Sequence, residues 1–538
     1  MPRITLLHGR TTRHAGARRA FRSLLAAALV VPLAGCTLVV DTSQREPCST
    51  HAECTARYGE PSACVESSCV KLLTEECTQV LPEGVLKEEN TILFGFMGAL
   101  TGDFASYGTP TKEGAELAFD EIQANSNGIP GAAGERQRHV GMLVCDEGTD
   151  PKKVARHLAE DVKVPAIIGP SFSGVTLDVL DVTVPDQTLV ISATATSPAL
   201  TNVADNGLFW RTCPSDVVQT ELMKYLLVEL TGDLKNAGSI PEQREPKVAI
   251  LYKDDSAGRG LQLGATTMPD RSQAAPPVVS GYQDKYPNPD NLDSVDWSSH
   301  ADGVVSYGPD VIMALGTSEF AQYLMPRIEA KWSLDAKPWY MLPEGDRVGQ
   351  LTDFVGQNPQ FQLEQRIIGT APGARQSKLY NNFKDRFKGQ FSQRPPGNLA
   401  EFAYDAAYLL VYAVGISQRP YPTGPELADA LTHVSCPAAI APTPVGPGGF
   451  LDNFKQASMD GACIDFEGAS GPLDFNNATG EAVGDIAMWC LQNQGNGPSY
   501  DPPLKSYYSA AEDRIVWKND TPIDFTQRDW CNANSESM

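Results

Sequence analysis

The feature that most restricts this chain is a rhythm that runs through it twice. From Thr91 onward, short apolar runs alternate with longer segments whose apolar residues recur at helical spacing. In the first round, residues 92–97 (Ile-Leu-Phe-Gly-Phe-Met) read as a buried strand. A helix from about Thr111 follows, with Ala115, Ala118, Phe119 and Ile122 on one face. Strand 141–145, a helix over 151–162 with Val154, Leu158 and Val162 a turn apart, and strands 166–169 and 188–191 complete it. In the second round Ser215 caps a helix reaching 229 that carries Val218, Leu222, Leu226 and Leu227. Then come strand 248–252, a helix after Gly258, a strand near Val278 and a helix capped by Asp296 or Ser298. Strand 311–315, helix 319–330 and strand 339–342 close the round. Such alternation predicts an α/β fold with mostly parallel sheets, and two rounds predict two lobes with a ligand cleft between them.

Ligands of open parallel sheets collect where strands end. Two neighbouring runs in residues 166–198 each break into small hydroxyl residues, Pro170-Ser-Phe-Ser-Gly after the first and Ser192-Ala-Thr-Ala-Thr-Ser-Pro after the second. At the start of the helix predicted after Ser173, main-chain N–H groups and a serine hydroxyl gather, which suits a carboxylate. The competing reading is that these residues only make turns.

Beyond residue 366 the text holds a strand over 366–370 and helices around 380–387, 400–417 and 425–434. It then turns irregular. Pro442 to Gly449 is rich in Pro and Gly, and Cys436 and Cys463 flank it, which predicts a disulfide clipping a surface insertion. Residues 471–475 and 485–489 read as a closing pair of strands, and Cys490 and Cys531 could tie down the extension behind them.

The N-terminus follows other rules. Six arginines precede an apolar run over 24–33, and Leu33-Ala-Gly-Cys36 closes it. This is a signal-peptide pattern whose end resembles the bacterial lipobox, implying cleavage before Cys36 and lipidation of its thiol. Arg18-Arg19 also resembles a twin-arginine export signal. Loss of residues 1–35 removes six arginines and no acid, taking the net charge from −23 to −29. A surface so acidic repels nucleic acid and anionic head groups, so membrane attachment would rest on acyl chains. The mature chain offers no run of about 18 apolar residues, so no spanning helix is expected.

Twelve cysteines fit an oxidising compartment. Cys48, Cys54, Cys64, Cys69 and Cys77 crowd a short stretch without the paired spacing of a zinc site, and read as a disulfide knot acting as a stalk, with Cys48–Cys64 and Cys54–Cys69 as the expected pairs. An odd thiol must remain, or pair between molecules. No cofactor or metal motif appears, and an enzyme is not expected. His139, His157, His300 and His433 stand in no metal spacing, and Ser171 and Ser173 do not fit G-x-S-x-G.

Six segments, in order, carry a resemblance. They are Gly98-Ala-Leu-Thr-Gly with Ser106-Tyr-Gly; Cys145-Asp with Asp150-Pro; Ile168-Gly-Pro-Ser-Phe-Ser; Ile191-Ser with Ala195-Thr-Ser-Pro; Pro343-Glu-Gly; and Gly471-Pro-Leu-Asp-Phe. Over roughly residues 91–489 the chain resembles the type I periplasmic solute-binding proteins of the leucine/isoleucine/valine-binding family. That resemblance implies two Rossmann-like lobes joined by three crossovers, with an amino acid in the cleft. Carried over, Ser173, Ala195 and Thr196 would bind the α-carboxylate, Glu344 from the other lobe the α-ammonium, and Tyr107 and Tyr404 would wall the cleft. The segments divide the chain into a signal peptide (1–35), a Cys-rich stalk (36–88), lobe one (89–213 and 370–445), lobe two (214–369 and 446–489) and a C-terminal extension (490–538).

The chain also departs from the family. Aromatic residues common on the second lobe's side fall at about Ala257 and Thr317, and a cysteine common beside the serine is Phe172. Cys145 then needs another partner, Cys77 or Cys213, and branched aliphatic specificity does not follow. The implied function is a lipid-anchored extracytoplasmic binding protein that delivers an amino acid-like ligand to an ABC transporter permease. The rival is a lipid-anchored receptor of the same fold that signals to a membrane partner, and a third possibility is a structural lipoprotein that binds no ligand.

Overall fold

A computed structural model describes residues 47–131, 136–148, 150–267, 276, 278–289, 292–373, 377–436, 441–493, 497–500, 504–510, 512 and 514–534. The expected signal peptide and the expected lipidation site Cys36 lie outside these. Two eight-stranded sheets organise the chain. The first runs, edge to edge, Asp474–Asn476, Glu481–Val483, Phe209–Arg211, Leu189–Ser192, Ala166–Ile168, Thr91–Gly98, His139–Asp146 and Cys77–Leu81. Its centre is parallel and its outermost pairings are antiparallel. The second runs Tyr282–Tyr286, Val248–Lys253, Val311–Leu315, Trp339–Leu342, Ile367–Pro372, Ile486–Trp489, Tyr507–Ser509 and Arg514–Val516, parallel through its first five strands. Strands buried on both faces explain the unbroken apolar runs, since helices cover each side of each sheet.

The chain passes between lobes three times, after Arg211, after Pro372 and after Val483. Several expected boundaries shift. Residues 446–483, assigned to the second lobe, belong to the first: Phe450 and Phe454 join its core and 474–483 its sheet. The expected closing pair is therefore split, because Asp474–Asn476 pairs with Glu481–Val483 while Ile486–Trp489 adds to the other sheet. The expected surface insertion is packed, with Pro442–Pro444 paired to Asp465–Glu467 and Val445 buried. The strand expected near Val278 lies at Tyr282–Tyr286.

The ends of the chain are bound in more closely than a stalk and an extension would be. Disulfides Cys48–Cys64 and Cys54–Cys69 hold a small helix, His51–Tyr58, on a hairpin of Ser62–Val65 and Ser68–Lys71. Residues 77–81 then extend the first sheet, and Cys77 bonds Cys145 on the neighbouring strand. At the other end, strands 507–509 and 514–516 widen the second sheet, and Cys490–Cys531 fixes buried Trp530 against Trp339 and Phe525. Cys436 bonds Cys463, and Cys213 is the one free cysteine among the described residues. No described helix is long and apolar enough to cross a membrane.

Candidate functional site

Two backbone devices bring residues to the cleft. Strand Ala166–Ile168 ends at Gly169, whose φ of 115° and close approach to the Met97 carbonyl admit no side chain; the chain then turns through Pro170–Phe172 into helix Ser173–Thr183. The helix expected from Thr111 starts at Ala105 instead. A side chain at Gly108 would strike the Ala99 backbone, so only glycine lets this early turn lie on the preceding loop, and the turn carries Tyr107 into the cleft.

The cleft is about 560 Å³, and residues of both lobes line it. Ser173, Thr196, Tyr107 and Glu344 are among them; Ala195 and Tyr404 are not. Many of the hydroxyls singled out from sequence do build turns. Ser171 Oγ accepts the Ala99 N–H at 3.0 Å, Ser192 Oγ donates to the Pro170 carbonyl at 2.9 Å, and Thr194 Oγ1 donates to the Ser171 carbonyl at 2.7 Å. Ser173 differs. Its Oγ accepts the Ser197 N–H at 3.1 Å, which leaves its own O–H to donate, and it begins a helix whose first N–H groups have no partner within that helix.

Ala195 is corrected by its surroundings: its N–H donates to Ser192 Oγ at 3.0 Å and its carbonyl accepts from Arg211 at 2.9 Å, so both groups are committed and the residue is fully buried. Tyr404 is corrected likewise. It lies inside the first lobe, donating to Glu121 Oε2 at 2.6 Å and accepting from Arg386 at 2.9 Å, with its ring against Phe383.

Glu344 opens the turn after strand Trp339–Leu342. Gln219 Nε2 donates to its Oε2 at 2.6 Å, and its carbonyl accepts from Asn398 of the first lobe at 3.0 Å. Burial holds its carboxyl above the usual range. Tyr107 stacks on Phe172 with ring centroids 5.3 Å apart, and Phe104 meets Phe172 edge-on. Burial, and then Glu344, push the Tyr107 hydroxyl well up.

Other lining residues were given no role from sequence. Lys253 ends strand Val248–Lys253, donates to Thr317 at 3.0 Å, and lies within 3.6 Å of Asp255 and 3.7 Å of Glu319. Its ammonium reaches across to the first lobe, 4.8 Å from the Phe104 ring. Outside the lining, Ser197 and Ser256 meet across the lobes, hydroxyls 2.9 Å apart. Glu147 follows Asp146 directly and receives the Ser171 N–H at 2.9 Å. The strand-end rule, applied to the second lobe as to the first, would have found Lys253 and Asp255. Ala257 and Thr317 line the cleft where family aromatics were expected to be replaced. His139, His157, His300 and His433 do not line it.

A family model described as "Periplasmic binding protein" matches residues 91–488. The Leu/Ile/Val-binding protein BraC3 of Rhizobium johnstonii is 33% identical over 174 residues, 32% of this chain and 41% of that protein. The chemotactic signal transduction system substrate-binding protein BasB of Halobacterium salinarum is 24% identical over 407 residues, 72% of this chain and 82% of that one. The chain spans about two fifths of the length of the first curated relatives it matches. In fold it is similar to the branched-chain amino acid transporter substrate binding protein LivJ from Streptococcus pneumoniae, solved with isoleucine, at a TM-score of 0.53, 18% identity, and coverage of 75% of this chain and 97% of that one.

Proposed function

Since the chain belongs to the periplasmic binding protein family, matched over residues 91–488, we propose that it binds an amino acid or similar small polar ligand between its lobes and delivers it to an ABC importer. One observation carries the reading: Ser173 of the first lobe and Glu344 of the second line the same cleft. A zwitterion needs donors on one side and an acceptor on the other. The Ser173 hydroxyl and the helix N–H groups supply the first, and the Glu344 Oε1, which no described donor reaches, supplies the second, each charge-assisted bond contributing about 1.5–3 kcal/mol. Thr196 and Tyr107 complete the wall. A ligand that bridges both lobes stabilises the closed form, and the closed form presents both lobes to the permease together.

Export and lipidation at Cys36 belong to the same proposal, as does an extracytoplasmic place. Mass spectrometry of the N-terminus tests the lipidation: an unmodified Cys36 or an intact residue 35 rules it out. A thermal-shift screen over amino acids tests binding, and no shift with any of them counts against it. The likeness to the chemotactic protein of Halobacterium salinarum favours a second reading, a sensor for a membrane partner. Co-purification separates the two, with a permease supporting import and a signalling protein supporting sensing.

A further inference from the structure

Two carboxylates face the cleft from opposite lobes, each half satisfied. Glu147 is 4% exposed, and Ser171 N–H reaches its Oε2 while its Oε1 accepts from no described residue. Glu344 is 5% exposed, with Gln219 on Oε2 and Oε1 open in the same way. Both act on the Tyr107 hydroxyl, so one ring lies within electrostatic reach of each. The lysine of the cleft does not neutralise them, for its ion pairs are with Asp255 and Glu319. Arg211, the nearest arginine to the Ala195–Ser197 loop, pairs with Glu481. Asp146 lines the same cavity and adds to its negative field, whereas Asp178 and Asp255 there are paired with Lys152 and Lys253.

A carboxylate buried without a counter-charge is costly, and it takes up either a proton or a cation. Burial pushes Glu147 up to about 8 and raises Glu344 too, as expected for acids awaiting a positive partner. The site also tolerates a cation between its lobes, since the Lys253 ammonium lies 4.8 Å from the Phe104 ring and 6.0 Å from the Phe172 ring. A branched aliphatic side chain would offer Glu147 no cation and leave it holding a proton.

We propose that the cleft selects a basic amino acid, whose α-ammonium lies on Glu344 and whose side-chain amine or guanidinium lies on Glu147. This rests on the reading above, which puts the α-carboxylate at Ser173. The test is calorimetry with near-isosteric pairs, L-arginine against L-citrulline and L-lysine against L-norleucine, on the mature chain and on Glu147→Gln, with 1,4-diaminobutane as a dication lacking the carboxylate. The basic member of each pair is expected to bind roughly tenfold tighter or more, with the ratio falling toward one in Glu147→Gln. Equal binding within the pairs, a preference for the neutral member, or a ratio that survives Glu147→Gln overturns the proposal. The wild-type ratio decides alone if the variant melts early. Binding of 1,4-diaminobutane where no amino acid binds supports the paired acids and rejects the zwitterion reading. Failure of every compound rejects both.

Discussion

On the first-lobe side of the cleft, Ser173 opens a helix and Thr196 sits in a loop, both segments tied by hydroxyl and main-chain bonds, beside the stacked rings of Tyr107 and Phe172. On the second-lobe side stand two acids, Glu344 and Asp255, and Lys253, and burial raises both acids. The first jaw is preorganised by these bonds, and Glu147 is the buried acid within it. The second holds electrostatic cost that a ligand can relieve. Neutral donors fix the geometry of binding, and buried charge decides which guests are worth closing on.

Four measurements press on that contrast. The largest effect is expected from Glu344→Ala, which removes the acceptor for the ammonium and should weaken amino-acid binding by about 1.5–3 kcal/mol, read by calorimetry. Unchanged affinity would remove the second jaw from the account. Ser173→Ala should cost less, about 1 kcal/mol, because the helix N–H groups remain; a loss equal to that of Glu344→Ala would erase the distinction between jaws. pH comes next. The folded, ligand-free Glu344 holds its proton more tightly than an unfolded glutamate, so its contribution to stability is present at low pH and lost as pH rises through the raised value, whereas ion pairing with ligand needs the ionised form. The rise in melting temperature on adding ligand should therefore grow with pH, and Glu344→Gln should lessen that growth, leaving the part due to Glu147. Smallest is Tyr404→Phe, expected to leave affinity within about twofold and to lower stability by about 1 kcal/mol through the lost Glu121 bond. A clear loss of affinity there would put Tyr404 back at the cleft.

Periodicity made the alternating elements and both lobes legible, because strands buried on two faces and helices buried on one leave distinct signatures. Local segments also placed Ser173, Thr196, Tyr107 and Glu344 on one cavity. Ala195 and Tyr404 were not separable from lining residues in the sequence, since whether a backbone amide is already spent on Ser192, or a tyrosine hydroxyl on Glu121, depends on partners far along the chain. The lobe boundary near 446 was hidden for a similar reason: Phe450 and Phe454 look like any amphipathic turn until the first lobe's core receives them. Glu147 stood between two segments singled out, Cys145-Asp and Asp150-Pro, but nothing local reveals that an acid is buried.

The pairing of residues 77–81 with the first sheet, locked by Cys77–Cys145, joins the chain's upstream segment to one lobe alone. Whatever holds the chain upstream of Pro47 pulls on the first lobe through a staple and a row of main-chain bonds, and no part of that pull passes through the three interlobe segments. If the protein hangs from a surface, the first lobe is its fixed arm and the second is the one that swings.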